Sequence, residues 1–269
     1  MKSVAAVLVA IALAATAVSA QRRGRFGFGP RLQENPKYDG AFQFCRIAFR
    51  NDINGDGAGW WVDYPRADEN LTFRLSELTL TTVSDNGPRA YNHAVLNLSD
   101  AATLSKCPFT MLTEPGGAFF DDDEARGLRE YLQRGGFLWA DDFWGEYAWD
   151  HWVGQLRKAL PSGEFAIRDV PLDHPIFHML YDVRELPQIP SIGFWVGTGG
   201  ATSERGRDSA VPHARGAFDA DGHMLVFMTH NTDFGDAFER EGEMRAYFNE
   251  FASKGYAVGV NVILYAMTH

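Results

Sequence analysis

The stretch from Asp121 to Asp142 (DDDEARGLREYLQRGGFLWADD) constrains the fold more than any other. Leu128, Tyr131 and Leu132 recur at helical spacing and give a helix over 121–134 one buried face. Asp121, Asp122 and Asp123 supply a cap and favourable charge at its start. Gly135-Gly136 ends it in the left-handed conformation that helix C-termini prefer. Phe137-Leu138-Trp139-Ala140 then reads as a strand buried on both faces, closed by Asp141-Asp142. A helix that turns directly into a doubly buried strand is half of a βαβ unit, so the chain is expected to build a parallel sheet.

The remaining pattern agrees. Ala41 to Phe49 reads as a strand, followed by a Gly-rich loop from Asn51 to Asp63 that contains Trp60-Trp61. A helix over 68–80 follows from Leu71, Leu75 and Leu78, with Asp68 near its start as a cap. Short strands are expected at 93–98 and 109–113, a helix at 146–160 stopped by Pro161, and a strand at 165–170. Residues 186–212 are rich in Gly, Ser and Pro and read as a long surface excursion. Strands at 214–218 and 224–228 flank Asp219-Ala220-Asp221-Gly222, a hairpin signature. An amphipathic helix over 256–267 closes the chain. The expectation is an α/β domain over 41–269, with a mostly parallel three-layer sheet and an antiparallel edge hairpin.

The N-terminus sets an expectation about compartment. Lys2, an apolar run from Val4 to Val18 and the small residues Ser19-Ala20 have the order of a secretory signal peptide over 1–20. That run is short for a membrane span, which takes about 20 residues, and no later stretch replaces it. Residues 21–40 read as a flexible linker. The chain is expected to be exported, to the periplasm or the extracellular space. Its net charge is −10, and −11 once Lys2 is removed, with no basic stripe beyond Arg22, Arg23, Arg25 and Arg31. Nucleic acid is therefore excluded as a partner, because neutralising phosphates takes clustered Lys and Arg. In an oxidising compartment Cys45 and Cys107 either pair or remain two buried thiols.

In open α/β sheets, ligands bind beyond the carboxyl ends of the strands. That rule selects Asp141 and Asp142, then Thr229, His230, Asn231 and Asp233, then the loop with Trp60 and Trp61, and finally Asp173-His174. Adjacent residues on an extended chain point to opposite sides, so one of Asp141 and Asp142 faces a cleft while the other caps a helix or bonds to backbone. Asp141, Asp142 and His230 are the candidate acid–base residues. Trp60, Trp61, Trp144, His174, Asn231 and Asp233 are candidates for ligand binding. A zinc set of His174, His178, His230 and Asp141 is conceivable. Asp52-Ile53-Asn54-Gly55-Asp56-Gly57 matches the opening of a calcium loop, which makes Asp52, Asn54 and Asp56 candidate ligands. Asp63 stands at the twelfth position, where a bidentate Glu is usual. The chain contains no GxSxG, GxCxG, GxxxxGK[ST] or post-strand GxGxxG, so it offers neither a standard nucleophile elbow nor a standard nucleotide loop.

Leu128 to Asp142, Asp173-His174-Pro175-Ile176-Phe177 and Gly259 to Ala266 resemble the domain-of-unknown-function 4159 family. Trp60-Trp61, Asp63-Tyr64-Pro65 and Arg74 to Thr79 are similar to that family's N-terminal block. The resemblance implies a flavodoxin-like sheet of the class I glutamine amidotransferase type, with Asp141-Asp142 where that superfamily carries its nucleophile. His174-Pro175-Ile176 and Thr229-His230 are also similar to segments of trehalose-utilisation proteins, which implies a carbohydrate association. Three functions follow as expectations: a module binding a polar or glycan ligand at an acidic, aromatic cleft; a metal-assisted or acid–base enzyme acting on carbohydrate; and an envelope scaffold.

Overall fold

The computed structural model describes residue 32 and residues 34–269. The signal-peptide segment and most of the expected linker lie outside the described residues. Within the linker's described end, Asn35 bonds both ways to the backbone of Val95, donating from Nδ2 to its carbonyl (2.9 Å) and accepting its N–H (2.8 Å).

Seven strands form the main sheet: β1 (Phe44–Ala48), β3 (His93–Asn97), β4 (Phe109–Thr113), β6 (Phe137–Asp141), β7 (Ala166–Asp169), β8 (His213–Phe218) and β9 (Met224–His230). Their spatial order is β3-β1-β4-β6-β9-β8-β7. The first five are mutually parallel, while β8 runs antiparallel to both β9 and β7. The sheet is thus mostly parallel with an antiparallel edge. Numbered among themselves, the parallel strands run 2-1-3-4-5, one of the two common orders of doubly wound sheets. The order reverses between β1 and β4. A separate two-stranded ribbon pairs β2 (Arg50–Asn51) with β5 (Ala118–Phe119).

Helices cover both faces because the inner strands are apolar on both. Leu138 and Ala140 pack with α3 (Asp122–Gln133) and α4 (Gly145–Ala159) in one core. Phe137 and Trp139 pack into the other core with α1 (Arg66–Leu78), α6 (Phe234–Glu239) and α8 (Ser253–Thr268). Among the described residues the shorter α-helices are α2 (Ala101–Leu104), α5 (Ile192–Thr198) and α7 (Arg245–Tyr247), the last running through a π-helical turn into α8. Among the described residues no helix is long and apolar enough to cross a membrane.

Local chemistry follows the sequence at most boundaries. Asp121 caps α3 in a reciprocal capping box with Glu124, and Gly135 leaves the helix at φ +91°. Two expectations need correction. Asp68 is not a cap: α1 begins at Arg66, and Asp68 is buried in its first turn, taking a bidentate ion pair from Arg46. The closing helix is longer than its amphipathic core suggested, and it is buried on most sides between α1, α6 and the sheet. Cys45, on β1, and Cys107, just before β4, form a disulfide with S–S 2.01 Å.

Candidate functional site

Four parallel strands deliver a carboxylate to one rim, beside the place where strand order reverses. Asp63 comes from the loop after β1, Glu114 directly follows β4, Asp142 directly follows β6, and Asp233 lies three residues past β9. With Glu204, Asp236 and Glu239 they line a cleft of about 390 Å³, joined by Trp61, Tyr64, Ser191 and a single basic residue, Arg240. Ligand atoms of Asp63, Asp142 and Asp233 lie within 4.8 Å of one another, as do those of Asp63, Asp236 and Glu239.

The backbone is contorted to achieve this. Asp63, Glu114, Asp142 and Asn231 all adopt left-handed φ values of 54–62°. That region costs a non-glycine residue roughly 1–2 kcal/mol. Such outliers persist only where the surroundings enforce them, and they gather at functional sites. Asp142 occupies a sharp strand-to-helix turn between β6 and α4, the type of position a nucleophile elbow uses.

Each carboxylate is held by neighbours that sequence spacing alone does not reveal. Buried Arg46 donates from Nη1 to the carbonyls of Trp60 and Val62 (3.2 Å each) and so fixes the chain just before Asp63. Asp63 is only 7 % exposed, and its Oδ2 is buried with no hydrogen-bond partner. Gly235 is required beside it, since a Cβ there would stand 2.2 Å from that oxygen. Asp142 accepts from Trp144 Nε1 (3.1 Å), and Asp233 accepts the N–H of Asp236 (2.7 Å). Glu114 accepts the Ala58 N–H (2.9 Å) at a point where Gly57 leaves room for it. The β2–β5 ribbon and the bonds Asp52 N to Gly117 O (2.9 Å) and Asp56 N to Gly116 O (2.8 Å) clamp this loop to the turn after β4. From the 186–212 excursion, Glu204 accepts the Ser191 N–H (2.7 Å), and Asp236 accepts the Ile192 N–H (2.8 Å).

Burial, then mutual repulsion, raises these acids. Asp63, Asp142 and Asp233 are pushed well above the usual carboxylate range by burial first and by neighbouring carboxylates second. Burial pushes Glu114 up to about 8 and Asp236 to about 6. At an effective dielectric of 20, two unit charges 4.8 Å apart repel by roughly 3 kcal/mol, so the group is costly to ionise without a cation.

The structure divides the sequence candidates sharply. Asp142, Asp233 and Trp61 line the cleft, with Trp144 buried behind Asp142. Asp141 faces away from it: Oδ2 accepts the N–H groups of Phe234 and Gly235 (2.8 and 3.1 Å) at the start of α6, and Oδ1 accepts from Thr229. Burial raises its carboxyl to about 7. Period-two alternation on β9 puts Thr229 beside Asp141 and turns His230 to the opposite face. There His230 packs against Phe143 and Trp149, contacts Gly145 O at 3.0 Å through Nε2, and faces Arg215 at 3.2 Å through Nδ1. Burial lowers its pKa to about 4. Asn231 is structural: it accepts from Gly145 N (2.8 Å) and donates to Val211 O (2.9 Å). Trp60 belongs to the core.

His174 is not brought to this rim. After β7 the chain doubles back, and His174 packs against Phe218, Tyr265 and, through Tyr265, near Phe137 at the opposite end of β6. His178 contacts Leu172 O and Asp182 near it. The conceivable zinc set therefore does not assemble. In the loop matching a calcium site, Asp52 accepts the Asn54 N–H (2.9 Å) and Asp56 pairs with Arg205 (3.1 Å), while Asp63 at the twelfth position turns into the cleft.

Glu114, Glu204, Asp236 and Glu239 were not singled out in the sequence. The strand-end rule that selects Asp142 selects Glu114 equally, since it follows the expected 109–113 strand. No local signal marks Glu204. No curated protein matches the chain. A family model described as a domain of unknown function (DUF4159) matches residues 46–267, from the arginine that anchors the Asp63 loop to the closing helix, so the chain belongs to the DUF4159 family.

Proposed function

We propose that this is an exported protein that holds a hard divalent cation in the carboxylate cleft and binds a hydroxyl-rich ligand, such as a glycan, beside it. The observation that carries this is Asp63, whose buried Oδ2 has no hydrogen-bond partner and whose carboxylate lies within 4.8 Å of those of Asp142 and Asp233. Leaving a buried charge unpaired is strongly unfavourable, and a cation relieves it. Two oxygens bound to one calcium ion at about 2.4 Å are at most about 4.8 Å apart, which the group satisfies. An all-oxygen donor set favours calcium, magnesium or manganese over zinc. Trp61 at the cleft offers an apolar face beside those polar groups, the mixture that small-ligand sites use. The Cys45–Cys107 bridge supports the export reading, because such bonds persist in oxidising compartments.

Calorimetric titration of chelator-stripped protein tests this. Calcium, magnesium or manganese should bind and raise the melting temperature, Asp63→Asn should weaken binding at least tenfold, and glycan-array signal should appear only with the cation. Absence of binding by all three ions, with the fold intact, overturns the reading. The strained turn at Asp142 favours a second reading, a metal-assisted or acid–base enzyme acting on carbohydrate. Release of new reducing ends from a polysaccharide panel, lost in Asp142→Asn, would establish it; no release from any polymer would remove it.

A further inference from the structure

We infer that the cleft takes two divalent cations, with Asp63 as the carboxylate they share and Arg240 as the displaceable occupant of the second position. This rests on the cation reading of the cleft. Asp63 belongs to both groups of three: with Asp142 and Asp233 on one side, and with Asp236 and Glu239 on the other. A bridging carboxylate needs a free oxygen, and its buried Oδ2 has no hydrogen-bond partner.

Arg240 fills the second position by default. Its Nε lies 2.8 Å from Glu239 Oε2 and 3.3 Å from Asp236 Oδ1, while Nη1 donates to Glu243 at 2.8 Å. Glu243 lies outside the cleft and more than a third of its side chain is exposed. It gives the guanidinium a partner to keep when Asp236 and Glu239 turn to an ion. The guanidinium is itself about a third exposed and keeps Glu243, so an ion held by three carboxylates can displace it from Asp236 and Glu239.

The charge balance points the same way. Seven carboxylates against one guanidinium leave six excess negative charges when all are ionised. One divalent ion still leaves four; two, with Arg240 displaced to Glu243, leave three. Ions sharing a carboxylate in two-metal sites stand about 3.5–4 Å apart, and two overlapping ligand groups with one common member suit that spacing.

Manganese titration of the chelator-stripped full chain, followed by calorimetry and low-temperature electron paramagnetic resonance, tests the inference. Two ions per chain are expected, with the spin-coupled spectrum of a close pair at saturation. Glu239→Gln should bind one ion and show an uncoupled spectrum. Arg240→Gln should bind the second ion at least tenfold more tightly than the wild type. One ion in both the wild type and Arg240→Gln overturns the two-ion inference and leaves the single-cation reading standing. One in the wild type and two only in Arg240→Gln overturns it as well, because the guanidinium is then a permanent occupant. No manganese in any variant, with circular dichroism unchanged, removes both readings.

Discussion

At the scale of single residues, the cleft depends on charges held where they are unfavourable on their own. Arg46 is the main support. It is fully buried, pairs with Asp68 and holds the carbonyls ahead of Asp63. Arg46→Met removes one partner of a buried pair, so a loss of about 3–5 kcal/mol is expected by urea denaturation. Arg46→Met combined with Asp68→Leu should recover much of that loss, because replacing both partners leaves no stranded charge. Asp142→Asn should act in the opposite sense: it removes repulsion, raises the melting temperature of cation-free protein and lowers cation affinity at least tenfold. A lower melting temperature in that variant would show that the carboxylate is stabilising as it stands. Arg46 and Asp68 were legible only as parts of a strand and a helix; nothing in their spacing announced that they face each other.

At the scale of elements, strand ends were the legible part of the site. The pattern helix, Gly-Gly, apolar strand, Asp-Asp placed Asp142 correctly at the end of β6, and the strand–loop rhythm placed Asp233 beyond β9. Side-chain direction was not legible to the same degree. The strand expected at 224–228 runs on to His230, so Thr229 and His230 lie within β9 and alternate across it. Thr229 turns to Asp141, His230 to Phe143 and Trp149, and neither lines the cleft. His174 follows a strand as expected, yet the chain doubles back before reaching it. The 186–212 excursion has no periodicity, so Glu204 and the contact of Ile192 with Asp236 depend on a path that only tertiary packing defines. Helix α6 offers a sharp test of element placement. Gly235→Ala improves helix propensity but sets a Cβ 2.2 Å from Asp63 Oδ2. Far-UV circular dichroism should be unchanged and cation affinity reduced at least tenfold; unaltered affinity would mean that Asp63 can move without consequence.

At the scale of the whole molecule, the acidic rim makes stability depend on pH and on cations together. Glu114, Asp141 and Asp236 are raised to about 8, 7 and 6, and Asp63, Asp142 and Asp233 are raised as well. These six carboxyls bind more protons in the folded than in the unfolded chain between about pH 4 and pH 8, and the histidines whose pKa burial lowers, His174, His213 and His230, oppose them in smaller number. Linkage therefore makes cation-free protein lose stability as pH rises through that window. Saturating calcium or magnesium should flatten or reverse the slope of melting temperature against pH. The disulfide acts independently: it closes a loop of sequence separation 62, and reduction should cost roughly 4 kcal/mol of stability on the chain-entropy account. The central claim concerns one place in the fold, the meeting point of Asp63, Asp142 and Asp233. Anomalous diffraction from crystals grown with manganese tests it most directly. A peak within about 2.0–2.5 Å of Asp63 Oδ2 and of carboxylate oxygens from Asp142 and Asp233 is predicted. A cleft without anomalous density, or manganese bound only at the exposed Asp219-Asp221-His223 turn, would contradict it.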